Sequence, residues 1–199
     1  MENQGYESWN INGRTLEFYP DIHVYVCDGV IVPSVTQLLS RKFGHKYENI
    51  APDVLQQAAD RGTRIHEAVE KYCKGLPYED CPELRDFIFL KEYYKFEAVK
   101  NELPVIVDIA GQTFAGRLDM IVDLGDNEMA VADIKTTATL DKEYLGHQLN
   151  LYRIGVEQCY DIVAQRLLGI HLKAGKRKIV EIPVKGESWL VKSLNIQEV

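Results

Sequence analysis

The chain has 199 residues, 46% hydrophobic and 27% charged, enough to bury a core without disulfides or a structural metal. Thirty acidic against 23 basic residues give a formal net charge of −7, which argues against a protein that coats nucleic acid by bulk positive charge, though not against one that binds it in a local groove. No apolar run approaches the ~20 residues of a membrane span, and the first eight residues have neither the basic nor the apolar region of a signal peptide, so a soluble cytoplasmic protein with no membrane association is expected.

Residues 15–32 read as a β-hairpin or two short strands: Leu16, Phe18 and Tyr19, then Val24, Tyr25 and Val26, with turn residues at Pro20-Asp21 and Asp28-Gly29. Pro33-Ser34-Val35-Thr36-Gln37 reads as a helix start, with Ser34 as N-cap and Gln37 placed to complete a capping box. Hairpin and helix together form an N-terminal extension of about residues 1–50. From about Asp53 to Lys74, Val54, Ala58, Gly62, Ile65, Val69 and Tyr72 trace one face of an amphipathic helix, which Gly75 and Pro77 end. A second helix, rich in aromatics and charge, runs from about Pro82 to Lys100.

The period then changes. Pro104–Ile109 is a short apolar run, and Thr113–Leu124 and Glu128–Thr136 are β-rich segments around the turn signal Gly125-Asp126-Asn127. A helix follows from about Lys142 to Ala164, with Leu145, Leu149, Tyr152 and Val156 on one stripe. Leu167–Lys173 and Lys178–Val184 read as strands around Gly175. The order predicts one domain over residues 1–199, an α/β or α+β fold with a small mixed central sheet flanked by helices. Basic residues cluster at Arg41, Lys42 and Lys46, at Arg61 and Arg64, and at Lys173, Lys176, Arg177 and Lys178; each cluster taken alone reads as solvated surface. Cys27, Cys73, Cys81 and Cys159 contain no C-x-x-C pair and read as free thiols.

The turn carries the sharpest inference. If the reversal centres on Asp126, Asp119 and Asp133 lie equidistant from it and face each other across an antiparallel pair, with Cβ atoms ~5 Å apart. Lys135 shares their face by the two-residue period of a strand. Like charges so placed are destabilising, and a divalent cation between them would relieve that, as at phosphoryl-transfer sites. The alternative is a solvated carboxylate beside one neutralised by Lys135 or Arg117. Spacing alone leaves the two readings open.

Gly116-Arg117-Leu118-Asp119 and Val131-Ala132-Asp133-Ile134-Lys135 resemble the motifs of the PD-(D/E)XK nuclease superfamily. Arg61-Gly62-Thr63-Arg64-Ile65-His66-Glu67 resembles the histidine-bearing helix of its RecB-type exonucleases, and Gln148-Leu149-Asn150-Leu151-Tyr152 their Q-x-x-x-Y helix. Val32-Pro33-Ser34-Val35-Thr36 is similar to the lead-in segment of phage and prophage members, and the resemblance spans about residues 30–160.

The resemblance implies a restriction-endonuclease-like core of order αβββαβ. It further implies a Mg²⁺- or Mn²⁺-dependent DNA nuclease, an exonuclease of recombination, repair or DNA processing. His66, Asp119, Asp133 and the main-chain carbonyl of Ile134 would ligate metal, and Lys135 would act on the attacking water or the phosphate. Gln148 and Tyr152 would hold the lysine strand and the DNA backbone, Arg61 and Arg64 would meet phosphate or solvent, and Glu102 is the candidate accessory acid. Gly62 would let the histidine helix lie close to the sheet. Removing Asp119 would relieve repulsion in the metal-free protein. Relatives with an iron–sulfur cluster use a closely spaced late cysteine trio; nothing follows Cys159 here, so no cluster is expected. The chain has no G-x-x-x-x-G-K-[ST] loop, so unwinding would need a separate helicase or recombinase partner. Rival readings are a catalytically silent DNA-binding or regulatory protein on the same fold and a structure-specific endonuclease.

Overall fold

A computed structural model describes residues 5–47, 50–173 and 175–197; residues 1–4 and 48–49 of the expected N-terminal extension lie outside the described residues. Four strands come first: β1 (Glu7–Ile11), β2 (Arg14–Tyr19), β3 (Val24–Cys27) and β4 (Val30–Val32). They form an antiparallel sheet in that order, where the sequence predicts only a hairpin or two strands. The unexpected β1, with Glu7, Ser8 and Asn10, has weak apolar character of its own and gains its strand state by pairing with β2, Glu7 opposite Phe18 and Ile11 opposite Arg14. Helix α1 (Val35–Phe43) opens with the expected capping box: Gln37 N donates to Ser34 Oγ at 3.0 Å, and Ser34 N donates to Gln37 Oε1 at 2.8 Å.

Helix α2 (Pro52–Cys73) and helix α3 (Pro82–Tyr94) precede a second, five-stranded sheet. The predicted stripe on α2 is buried only from Ile65 onward; Val54 is 53% exposed, because the helix meets the sheet with its second half alone. Helix α3 stops at Tyr94, where Lys95 takes a left-handed conformation, and not at Lys100. The next segment is strand β5 (Glu97–Ile109), which starts well before the expected Pro104. Nothing local in Glu97–Asn101 breaks a helix; its state is fixed by pairing with strand β6 (Gln112–Asp123), a contact outside any short sequence window.

Strand β7 (Met129–Lys135) returns through the Gly125-Asp126-Asn127 turn, where all three residues have positive φ and Glu128 N donates to Gly125 O at 2.9 Å. Met120 faces Ala132 and Asp123 faces Met129, the register expected from a reversal centred on Asp126. Helix α4 (Lys142–Tyr160), capped by Asp141 and closed by left-handed Asp161 before the predicted Ala164, crosses over to strand β8 (Arg166–Lys173), which pairs parallel with β7. Strand β9 (Lys176–Ile182) completes the sheet. Helix α5 (Glu187–Leu194), which the sequence reading lacks, follows Gly186 and buries Leu190. The sheet is mixed, in the order β5-β6-β7-β8-β9, and the fold is α+β.

The five-stranded sheet is covered on both faces. One cluster joins Leu16, Val35 and Leu39 to Val105, Val107, Leu145 and Leu149, so the N-terminal sheet, α1 and α4 share a core. The other packs Ile65 and Val69 of α2 and Leu84 and Phe87 of α3 against Val122, Ala132 and Ile134. Burial on both faces leaves strand ends and register breaks as the places where polar side chains can meet.

Candidate metal centre

The β6–β7 ladder ends at Met120 and Ala132. One residue further, Asp119 replaces a ladder bond with its side chain: Oδ2 accepts from Ile134 N at 2.6 Å. Its Oδ1 lies 3.5 Å from His66 Nδ1, and His66 Nε2 donates to the Ile134 carbonyl at 3.1 Å. On the other flank of β6, Asn101 faces Met120 and Leu103 faces Leu118, which brackets Glu102 opposite Asp119. Glu102 has a φ of 49° inside the strand, a conformation costly for a residue with a side chain. Ligand atoms of His66, Glu102 and Asp119 all lie within 4.8 Å of one another.

These groups perturb one another. Burial opposes a charge on His66, but Asp119 and Asp133 outweigh it and hold the imidazole's pKa up at about 9. Burial, then the Asp119 carboxylate, push Glu102 up to about 7. Asp119 goes the other way: burial would raise it, yet His66, Lys135 and the Ile134 amide hold it below the usual carboxylate value. Those partners stabilise its charge, while Asp119 in turn pushes both Glu102 and Asp133 up, so the repulsion expected from the sequence is present and falls on its neighbours. The strained acid is Glu102.

Asp133 stands beside this group and not among the three donors. It is 1% exposed, with Oδ2 2.6 Å from Lys135 Nζ, and burial pushes it up to about 6 against the pull of that lysine. Burial works against the charge on Lys135, but Asp133 and Asp119 hold its pKa above the ordinary lysine value. Because Asp119 turns to cap the Ile134 amide, the two aspartates do not oppose each other as a regular cross-strand pair. The Ile134 carbonyl, expected as a ligand, is engaged by His66.

The remaining expected residues divide. Tyr152 is 3% exposed, its pKa raised by burial, and Gln148, one helical turn before it, is 6% exposed. The tyrosine ring lies against Gly116, where a Cβ would come 2.9 Å from Tyr152 Cε1, so both residues support β6 from behind the site. Arg61 and Arg64 do not line the cleft in front of the donors. Arg61 is tied to Glu83, which is 6% exposed, so it bridges α2 to α3. Gly62 is not needed for close packing, since a Cβ there would meet only Thr136 Oγ1 at an ordinary 3.5 Å.

The cleft has a volume of about 660 Å³, and its wall includes His66, Glu67, Glu70, Glu102, Asp119 and Lys135. Four carboxylates against one lysine and one imidazole make it a place for a cation. One nitrogen and two carboxylate oxygens suit a divalent ion that completes its shell with water and substrate oxygens. The full membership of Glu102 is what sequence reasoning undervalued. Its only signal was a lone acid in a segment whose strand state is set elsewhere.

No family model and no curated protein matches the chain. Among solved structures, a "Putative exonuclease" from Eubacterium rectale aligns with a TM-score of 0.48 at 11% identity, covering 83% of this chain and 76% of that one. The protein SSO0001 aligns with a TM-score of 0.47 at 17% identity, covering 82% of this chain and 72% of that one. Among the described residues, no helix is long and apolar enough to cross a membrane.

Proposed function

We propose that the chain is a divalent-metal-dependent deoxyribonuclease of the PD-(D/E)XK kind, acting as an exonuclease from DNA ends. The observation that carries this reading is the meeting of His66, Glu102 and Asp119 within 4.8 Å beside a lysine held by a buried aspartate. The donors fit a cation on physical grounds: Glu102 is held against Asp119 at a cost that positive charge would remove. When bound, Mg²⁺ or Mn²⁺ supplies Lewis acidity, lowering the pKa of water and offsetting charge on the phosphate. A histidine donor favours Mn²⁺ at least as much as Mg²⁺.

The chain's own residues do the rest. Lys135 keeps its proton at neutral pH, so its Nζ serves as a donor to a phosphate oxygen rather than as a base. Asp133 fixes where that ammonium sits. His66 and Glu102 must give up their protons to become ligands. Gln148, Tyr152 and Gly116 pack behind β6 and hold Asp119 in place.

The test uses end-labelled linear DNA and a covalently closed circle, each incubated with Mn²⁺ or Mg²⁺ and with EDTA. Metal-dependent loss of label from the linear form with an intact circle is the expected result. Cleavage of the circle would make the protein an endonuclease. Binding of both substrates with neither degraded would replace the nuclease reading with that of a silent DNA-binding protein.

A further inference from the structure

A second cleft of about 660 Å³ is walled by Ala138, Thr139 and Leu140 and lined by Lys142 at the start of α4, by His171, and by Lys176, Arg177 and Lys178 of β9. Its lining contains no acidic residue among those described. This concentration of positive charge stands out on a chain with a formal net charge of −7. Arg177 is partly committed, with Nη1 2.6 Å from Asp86 and its guanidinium over the Phe89 ring at 3.7 Å. Lys142, Lys176 and Lys178 are exposed and make no ion pair with any described residue.

Register ties this cleft to the candidate metal centre. Lys135 stands beside His171 in the parallel β7–β8 pair, and His171 stands opposite Lys178 in the antiparallel β8–β9 pair. Side chains in register across neighbouring strands share a face. At ~4.8 Å between strands, Lys178 lies about 10 Å from Lys135, within a few nucleotides of a strand leaving the candidate metal centre. The floor between them is fixed, because His171 Nε2 donates to the Thr137 carbonyl at 2.7 Å and Thr137 Oγ1 donates to the Thr139 carbonyl at 2.9 Å.

We propose that the β8–β9 cleft is a phosphate track: it holds the backbone of the single DNA strand that runs on from the candidate metal centre, with Lys142, Lys176 and Lys178 meeting successive phosphates. This rests on the nuclease reading for the identity of the strand. It adds the direction in which the strand leaves, across β8 and β9, and a sequence-independent grip, since the named groups contact no base.

The experiment measures binding of a fluorescent single-stranded oligonucleotide in EDTA as salt is raised. For wild type, log K falls with log[salt]. In K176Q/K178Q the slope should fall by about 0.7 for each lost phosphate contact, about 1.4 in all. The control K100Q/K192Q removes the same charge from exposed lysines elsewhere and should keep the wild-type slope. Equal slopes for the two double variants would overturn the track. Equally tight binding of polyglutamate would also overturn it, since the cleft would then be a general anion patch. Because cleavage plays no part in this readout, a wild-type protein that degrades no DNA would sink the nuclease reading while leaving the slope comparison to decide the track by itself. Matching thermal melts of the variants and wild type establish that all are folded.

Discussion

Glu102→Gln gives the most quantitative consequence of the site's geometry. Burial and the neighbouring Asp119 raise this carboxyl from 4.5 to about 7. At ~1.4 kcal/mol per pKa unit, keeping it ionised in the folded chain costs at most about 3 kcal/mol. The sign follows from the raised value. Below the unfolded pKa both states are protonated and no cost exists; it grows between pH 4.5 and about 7, and is complete above that. Glutamine removes the charge with little change in shape and retains the same left-handed backbone, so that strain cancels in the comparison. In EDTA, the metal-free variant should therefore exceed wild type in stability by up to about 3 kcal/mol at pH 8 and match it near pH 4.5. Urea unfolding at the two pH values measures this. Adding Mn²⁺ should close the gap at pH 8 by stabilising wild type, which binds it, more than the variant. A variant no more stable than wild type at pH 8, or equally favoured at both pH values, would refute the reasoning.

Other consequences follow from the same contacts. With His66 held at about 9 and Glu102 at about 7, cation binding must displace protons, so apparent Mn²⁺ affinity should rise steadily from pH 6 to pH 9; an affinity flat over that range would contradict the donor set. Lys135→Met should lower cleavage by about 10²–10³-fold, the effect of losing one preorganised donor, while Mn²⁺ still binds; cleavage at the wild-type rate would remove Lys135 from the chemistry. Gly116→Ala pushes a Cβ to within 2.9 Å of Tyr152 Cε1 and should destabilise the chain by about 1–3 kcal/mol; an unchanged midpoint in urea would mean that the ring is not held against β6.

What could be read from the chain itself follows the range of the interactions involved. The Gly125-Asp126-Asn127 reversal is local, and its register, with Met120 opposite Ala132, emerges from a few residues. The capping box at Ser34 and Gln37 is equally local. The start of β5 is not, because Glu97–Asn101 acquires its state from β6, and the role of Glu102 was undervalued along with it. Placing Asp119 and Asp133 on adjoining strands assumed an ideal pair. The side chain of Asp119 instead caps the Ile134 amide, a substitution for a ladder bond that no periodicity reports. The Arg61–Glu83 ion pair was out of reach for a similar reason: Glu83 lies on another helix, and α2 had no visible neighbour in one dimension.

The central claim is that His66, Glu102 and Asp119 together hold a divalent cation, and counting free Mn²⁺ by electron paramagnetic resonance tests it without reference to any substrate. Wild-type protein titrated at pH 8 should remove Mn²⁺ from solution at a saturable site, and Asp119→Asn, folded by circular dichroism, should lose that uptake. Undiminished uptake by the variant, or none by wild type, would contradict the account.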